Sequence, residues 1–219
     1  MKKILLLGSS SPYRQELLRR LKIPFQIISP NIDETPINNE SPEATALRLS
    51  CEKAIAAANA WTSAQPPQTT TQLWVIGSDQ VATCQGEQIG KPGTHAKAVE
   101  QLRRMSGQIV TFHSALCLAH TIIPAATHTS QFTYHLQKIN VQTQVQYRKL
   151  NDAMIETYLR LDQPYDCAGS AKAESLGIAL TERIESSDPT AITGLPLIAL
   201  CTMLDNAGFD VLQEAQSIL

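Results

Sequence analysis

An α/β fold is what the 219-residue sequence predicts, and three observations carry that prediction. Short, wholly apolar runs at residues 4–7 and 73–76 have the length and composition of buried strands. Such runs alternate along the chain with longer stretches that open on helix-capping residues and carry an apolar stripe. No internal repeat or clean compositional break divides them, so one α/β domain over 1–219 is expected.

Composition narrows the function classes. Apolar residues make up 43% of the chain and charged residues 17%, an ordinary globular mixture able to fill one core. A net charge of −2 argues against a nucleic-acid-binding face, which needs a basic excess. No apolar run approaches the roughly 18 residues of a membrane span. The opening MKKILLLGSS imitates a signal peptide, but its apolar stretch at 4–7 falls short of the roughly 7–15 residues a signal needs. Cys51, Cys84, Cys117, Cys167 and Cys201 are well separated and form no CxxC, so reduced thiols in a cytoplasmic protein are expected.

The elements follow in order. After the strand at 4–7 comes a small-residue turn, then Pro12 at a first helical position with Ser11 as N-cap and Leu17, Leu18 and Leu21 as a buried stripe. A strand, a small turn and a helix N-terminus together favour an anion. Arg14, a cation in the first helical turn, fits an anionic partner better than it fits the helix dipole; a solvated surface arginine is the plain alternative. A second strand is expected at 25–29, followed by a loop holding the adjacent acids Asp33 and Glu34. These are either solvated or ligands of a hard cation. A helix should run from 42 to about 60 with Lys53 in its middle, ordinarily a surface position, and residues 62–72 read as a loop.

The strand at 73–76 is expected to stop at Gly77-Ser78, placing Asp79 and Gln80 at its carboxyl end, where open α/β sheets collect ligands. Lys91 follows between Gly90 and Pro92. Alternatively, Asp79 caps a turn and Lys91 decorates a loop. Thr94 can cap a helix over 96–105, and 109–119 forms a long strand whose off-face residue, His113, reads as a hydrogen-bonded strand histidine. A loop at 121–130, a half-exposed strand within 131–149 and a helix at 152–161 capped by Asn151 come next. His120 and His128 are too loosely spaced for a metal site. Residues 165–177 embed Lys172 and Glu174 among small residues. A strand at 178–184, a turn at 185–189 and an apolar helix at 197–204 stopped by Gly208 close the chain.

Lysines at 53, 91 and 172, Arg14, and acids at 33, 34 and 79 suit a phosphorylated substrate with a divalent cation. No GxSxG, Walker A loop or GxGxxG is present, so the phosphate is handled outside the common nucleotide folds.

The segments SSSPYRQELL (9–18), DETP (33–36), EKA (52–54), IGSDQV (76–81), GKP (90–92), CAGSAKAESLGI (167–178) and GLPLIALC (194–201) occur in order over nearly the whole chain. Through them the sequence resembles the Maf-like nucleoside triphosphate pyrophosphatases, and within these the branch that acts on 7-methyl-GTP. The resemblance implies an elongated α/β domain with a mixed sheet flanked by helices and a central cleft, similar to the inosine-triphosphate pyrophosphatases, and a homodimer. It implies hydrolysis of a nucleoside triphosphate to the monophosphate and pyrophosphate with a divalent metal cation (Mg, Mn or Co). Asp79 matches the catalytic acid, as base, metal ligand or both. Ser9, Arg14, Lys53 and Lys91 match triphosphate-binding positions, and Glu34 an acid near the metal.

Tyr13, Gln80 and Glu174 match the positions that set the branch; members acting on dTTP and UTP typically carry Arg, Thr and Gln there. An aromatic face attracts the cationic 7-methylguanine ring by roughly 0.5–2 kcal/mol, and a carboxylate accepts from its N1–H and N2–H₂ edge. Tyr13 stands where the branch more often has Trp, and Thr190 where an Asn is common. The rival readings are a dTTP/UTP or broad-specificity pyrophosphatase and, in another class, a nucleic-acid-binding regulator of cell division.

Overall fold

The computed structural model describes residues 1–35, 37–64, 68–125 and 132–216. Pro36, the middle of the expected 62–72 loop, residues 126–131 including His128, and residues 217–219 lie outside the described residues. The elements are β1 (Lys2–Gly8), α1 (Pro12–Arg19), β2 (Gln26–Ile28), α2 (Pro42–Ala64), β3 (Thr71–Cys84), β4 (Glu87–Ile89), α3 (His95–Met105), β5 (Ile109–Ile123), β6 (His135–Tyr147), α4 (Asp152–Asp162), β7 (Thr181–Ser186), α5 (Leu197–Asn206) and α6 (Val211–Gln216).

One mixed sheet runs in the order β2-β1-β3-β5-β6-β7, with β4 paired to β3. β1 lies parallel to β2 and β3; the remaining pairings are antiparallel. Successive strand residues face opposite sides. Leu5, Leu7, Trp74 and Ile76 therefore pack with α1 and α5, through Leu17, Leu18 and Leu200. Ile4, Leu6, Leu73 and Val75 pack on α2, through Ala54, Ala57, Ala58 and Trp61. A further cluster joins Val110, Phe112, Val145 and Tyr147 to α3 and α4.

Several boundaries differ from expectation, each for a tertiary reason. α2 continues past residue 60 to Ala64, because Trp61 is buried and its indole N–H donates to Gln26 Oε1 at 3.0 Å. β5 runs on to Ile123 because its ladder with β3 extends to the Thr71↔Ile123 pair, taking Thr121 from the expected loop. Residues 176–180 form a 3-10 turn rather than the start of a strand. Gly177 packs so closely on the backbone of Lys172 that a Cβ there would lie 2.5 Å from its carbonyl oxygen. α6 was not expected from the sequence.

The largest difference concerns β3, which does not stop at Gly77. Gly8 and Gly77 are direct partners in the parallel β1–β3 ladder, and both make room for α2. A Cβ on Gly77 would lie 2.0 Å from Ser50 O and 2.6 Å from Ala54 N; one on Gly8 would lie 2.9 Å from Lys53 O. The glycine is a helix-docking site, and the strand continues through it. β1 ends at Gly8, whereas β4 joins β3 only from Ala82 onward. Between these two neighbours, residues 78–81 of β3 face a notch in the sheet, and Asp79 and Gln80 lie there.

The chain after β7 shows a device not read from the sequence. Asp188 is buried, and its Oδ2 accepts from Ile198 N at 2.7 Å and Ala199 N at 3.3 Å, capping α5 from outside the helix. Its Oδ1 accepts from the backbone N–H and the hydroxyl of Thr190, at 3.0 and 2.7 Å. Thr190 Oγ1 in turn accepts from Leu197 N at 2.8 Å. Asp188→Ala should strand these donors and cost about 2 kcal/mol. That corresponds to a melting temperature lower by about 4–8 °C in a chain of this size; calorimetry checks it, and an unchanged melting point would reject the cap.

Candidate active site

A cavity of about 540 Å³ opens at the notch, and the nine residues to which the resemblance gives roles line it: Ser9, Tyr13, Arg14, Glu34, Lys53, Asp79, Gln80, Lys91 and Glu174; Asp33 and Lys172, also noted in the sequence, do not. At its charged end, α2 supplies Lys53. This is no surface lysine: it is 6% exposed, because the paired glycines let the helix sink onto the sheet. Its ammonium bridges two carboxylates, Asp79 Oδ1 at 2.6 Å and Glu34 Oε1 at 2.9 Å. Asp79 is itself buried, whereas the Glu34 side chain is about half exposed, so the inner pair is the more shielded from solvent.

Burial alone would raise the Glu34 carboxyl. The hydrogen bond from Lys53, with Lys91 and Arg14 nearby, outweighs burial and holds it below its ordinary value. The neighbouring acid, Asp33, is occupied differently, because its Oδ1 accepts from Thr35 N and Oγ1 in a local turn.

Arg14 faces the cavity from the first turn of α1, which Ser11 caps as expected. Its Nε donates to Gly194 O at 2.9 Å, and its Nη1 donates to Ser9 Oγ at 3.4 Å. Burial pulls the guanidinium down from its ordinary value, with Asp79 and Glu34 acting in the opposite direction. An arginine stays cationic through such a shift, so a partly desolvated positive charge faces the notch. Ser9 is buried and also accepts from Ser11 N, which fixes the small-residue turn.

The other end is built differently. Asp79 and Gln80 lie on opposite faces of β3, and the notch brings both into one cavity. Gln80 Nε2 donates to Ala191 O at 3.1 Å, Ile192 O at 3.0 Å and Ser114 Oγ at 2.9 Å. Two carbonyls can only accept, so the amide orientation is fixed and Oε1 remains as its acceptor. Phe112, Val145, Tyr147 and Ile192 add apolar wall, and Cys167 and Glu174 complete it. Burial, with Cys167 adding, raises the Tyr13 phenol, and Lys172 lies within hydrogen-bonding reach of that hydroxyl. Burial also raises the Glu174 carboxyl, partly offset by a backbone hydrogen bond and by Lys172.

One contributor was not read from the sequence. Gly194, at φ 100°, holds its carbonyl to both Arg14 Nε and Ser78 Oγ, the latter at 2.8 Å. The glycine ahead of Leu195-Pro196 is the sequence signal for this left-handed backbone. Lys172, read from the sequence among the cations suited to a phosphorylated substrate, instead stands beside the Tyr13 phenol.

A cation-rich end around two carboxylates, joined to an aromatic and acidic end, defines a site for a phosphorylated aromatic compound. The chain belongs to the Maf-like protein family, whose model matches residues 4–207. Among curated relatives it is 56% identical, over 94% of both chains, to a protein of Cupriavidus metallidurans named 7-methyl-GTP pyrophosphatase. Proteins with the same name from Ralstonia nicotianae (53% identical, covering 95% of this chain and 98% of the relative) and Thiobacillus denitrificans (51%; 95% and 94%) are similar throughout.

Proposed function

We propose that the chain is a nucleoside triphosphate pyrophosphatase that hydrolyses 7-methyl-GTP to 7-methyl-GMP and pyrophosphate. One observation carries the reading: a single cavity unites the cations and carboxylates at the notch with Tyr13, Gln80 and Glu174. The names of the relatives support the same substrate.

At the notch, Arg14, Lys53 and Lys91 would hold the triphosphate, with Ser9 keeping the turn and Arg14 in place. Lys53 is suited to exchange its carboxylate partners for a phosphate oxygen, which frees Asp79 to accept a proton from the attacking water. As the water oxygen bonds to the α-phosphorus, the bond to the oxygen bridging toward the β-phosphorus breaks, and pyrophosphate leaves with that electron pair. Fixed cations beside the phosphates stabilise the developing charge, and the prearranged geometry removes much of the entropic cost.

A divalent cation (Mg, Mn or Co) fits the donor set. Such hard cations take oxygen ligands, and magnesium commonly uses one or two carboxylates with substrate phosphates completing its shell. Glu34 and Asp79, gathered by one ammonium, can offer those oxygens. Among the described residues no group of three or more His, Cys, Asp or Glu could hold a metal by itself, in keeping with an ion completed by the substrate. When bound, it supplies charge neutralisation on the phosphates. The homodimer and the cytoplasmic setting belong to the same proposal; among the described residues no helix is long and apolar enough to cross a membrane.

At the other end, the face of Tyr13 would receive the cationic 7-methylguanine ring and Glu174 would accept from its N1–H and N2–H₂ groups. Lys172 does not oppose this, since its ammonium donates to Asp162 O at 3.1 Å and approaches Tyr13 at the phenol oxygen, at the ring edge, which leaves the face free. Pyrophosphate release from 7-methyl-GTP, GTP, dTTP and UTP, with each metal in turn, tests the reading. The expected result is a clear preference for 7-methyl-GTP. Tyr13→Arg should lower kcat/KM for it by about 10- to 100-fold through lost attraction and added repulsion. Equal rates on all four nucleotides would reject the roles of Tyr13 and Glu174.

A further inference from the structure

Away from the nucleotide cavity, two cysteines are brought together by the same close packing that buries Lys53. Cys117 is fully buried in β5 and is the direct ladder partner of Gly77. At Gly77 the helix α2 packs directly on the sheet, with Ser50 O only 2.0 Å from where a Cβ would stand. Cys51 is the next residue of that helix and packs into the cluster that holds Cys117. Both are free thiols, close enough for the Cys117 thiol to act on Cys51. Cys51 is half-buried and lines a groove, with Leu47, Arg48, Glu52, Leu136 and Lys138, that is separate from the nucleotide cavity. Lys138 is the cross-strand neighbour of Cys117 on β6.

We propose that Cys51 and Cys117 form an oxidant-responsive dithiol site, which a small peroxide entering the groove converts to a disulfide tying α2 to β5. The chemistry favours Cys51 as the attacking thiol. The hydrogen bond from Cys117 lowers it, burial opposes, and Ser50 and Lys138 assist against Glu52, leaving it at about 7. A thiol poised near ambient pH combines thiolate population with nucleophilicity. Cys117, which donates that bond and is buried, is pushed up and stays protonated. The Cys51 thiolate attacks one peroxide oxygen, the O–O bond breaks, and Cys51 becomes a sulfenic acid as hydroxide leaves. The Cys117 sulfur then attacks Cys51, the S–O bond breaks, and the sulfenic oxygen leaves as water with the Cys117 proton, while the hydroxide takes up the proton that Cys51 lost on ionising. In sum, two thiols and one hydrogen peroxide give one disulfide and two waters. The remaining thiols are disfavoured: burial, then Asp166, pushes Cys167 up to about 12. Burial also raises Cys84 and, with Asp188, Cys201.

Hydrogen peroxide added to the full-length protein at neutral pH, followed by mass spectrometry without reduction, tests this. The expected product has lost two hydrogens, yields one cross-linked peptide pair containing residues 51 and 117, and reverts with dithiothreitol. In Cys117→Ala, Cys51 should instead gain one oxygen and be captured by dimedone. In Cys51→Ser, Cys117 should remain a thiol. Cys51 should also alkylate about 10-fold faster than Cys167 or Cys201. Oxygen accumulating on Cys51 of the unmodified protein without a link, or Cys167 or Cys201 reacting first, would overturn the proposal.

Discussion

Asp79→Asn is expected to lower turnover of 7-methyl-GTP by about 10³-fold, within the range general-base catalysis supplies. The substitution keeps size and shape but removes the proton acceptor at the notch. The fold should survive, because Lys53 would not be left without a counter-charge. Glu34 Oε1 lies 2.9 Å from the same ammonium, so the severe penalty for an unpaired buried charge does not arise. Pyrophosphate release measured beside circular dichroism separates the two effects. Near-normal turnover in a folded variant would reject Asp79 as the central acid, whereas loss of fold would show that the buried Lys53–Asp79 pair carries more stability than this geometry implies.

Gly77→Ala is expected to act through the fold and damage the site as a consequence. The added methyl would stand 2.0 Å from Ser50 O and 2.6 Å from Ala54 N, both backbone atoms of α2 that no rotamer change can move. The helix must lift from the sheet, at a cost of about 3 kcal/mol, or a melting temperature lower by about 6–12 °C. Lys53 sits on the same turn of the helix, between Ser50 and Ala54, and would be drawn away from Asp79, so activity should fall by more than the folded fraction does. Thermal denaturation and turnover below the transition check both halves. An alanine variant with unchanged stability would mean that α2 is not held where the Gly8–Gly77 pair places it.

Local signals in the chain proved readable where one segment alone determines the outcome. The caps at Ser11, Thr94 and Asn151 hold as expected, each side chain accepting from the backbone three residues on. In β5, Val110, Phe112, Leu116 and Leu118 share one buried face, although α2 buries Ala115, Cys117 and Ala119 on the other face as well. Capping and period-2 patterning are properties of a few consecutive residues. Boundaries failed where a distant partner decides them, as with Trp61 reaching Gln26, Thr71 pairing with Ile123, and Asp188 capping a helix that starts nine residues later.

The candidate site divides the same way. By itself the sequence determined which chemical groups are present and, through resemblance, which of them act together. Only the tertiary structure decided why they can. Gly77 looked like the end of a strand, but it is where a helix docks, and this docking turns Lys53 from an expected surface residue into a buried ammonium between Asp79 and Glu34. The cleft itself is set by β1 ending at Gly8 while β4 joins β3 only at Ala82. A gap between strands belongs to their pairing register and to none of them singly, so no local pattern of residues could have encoded it.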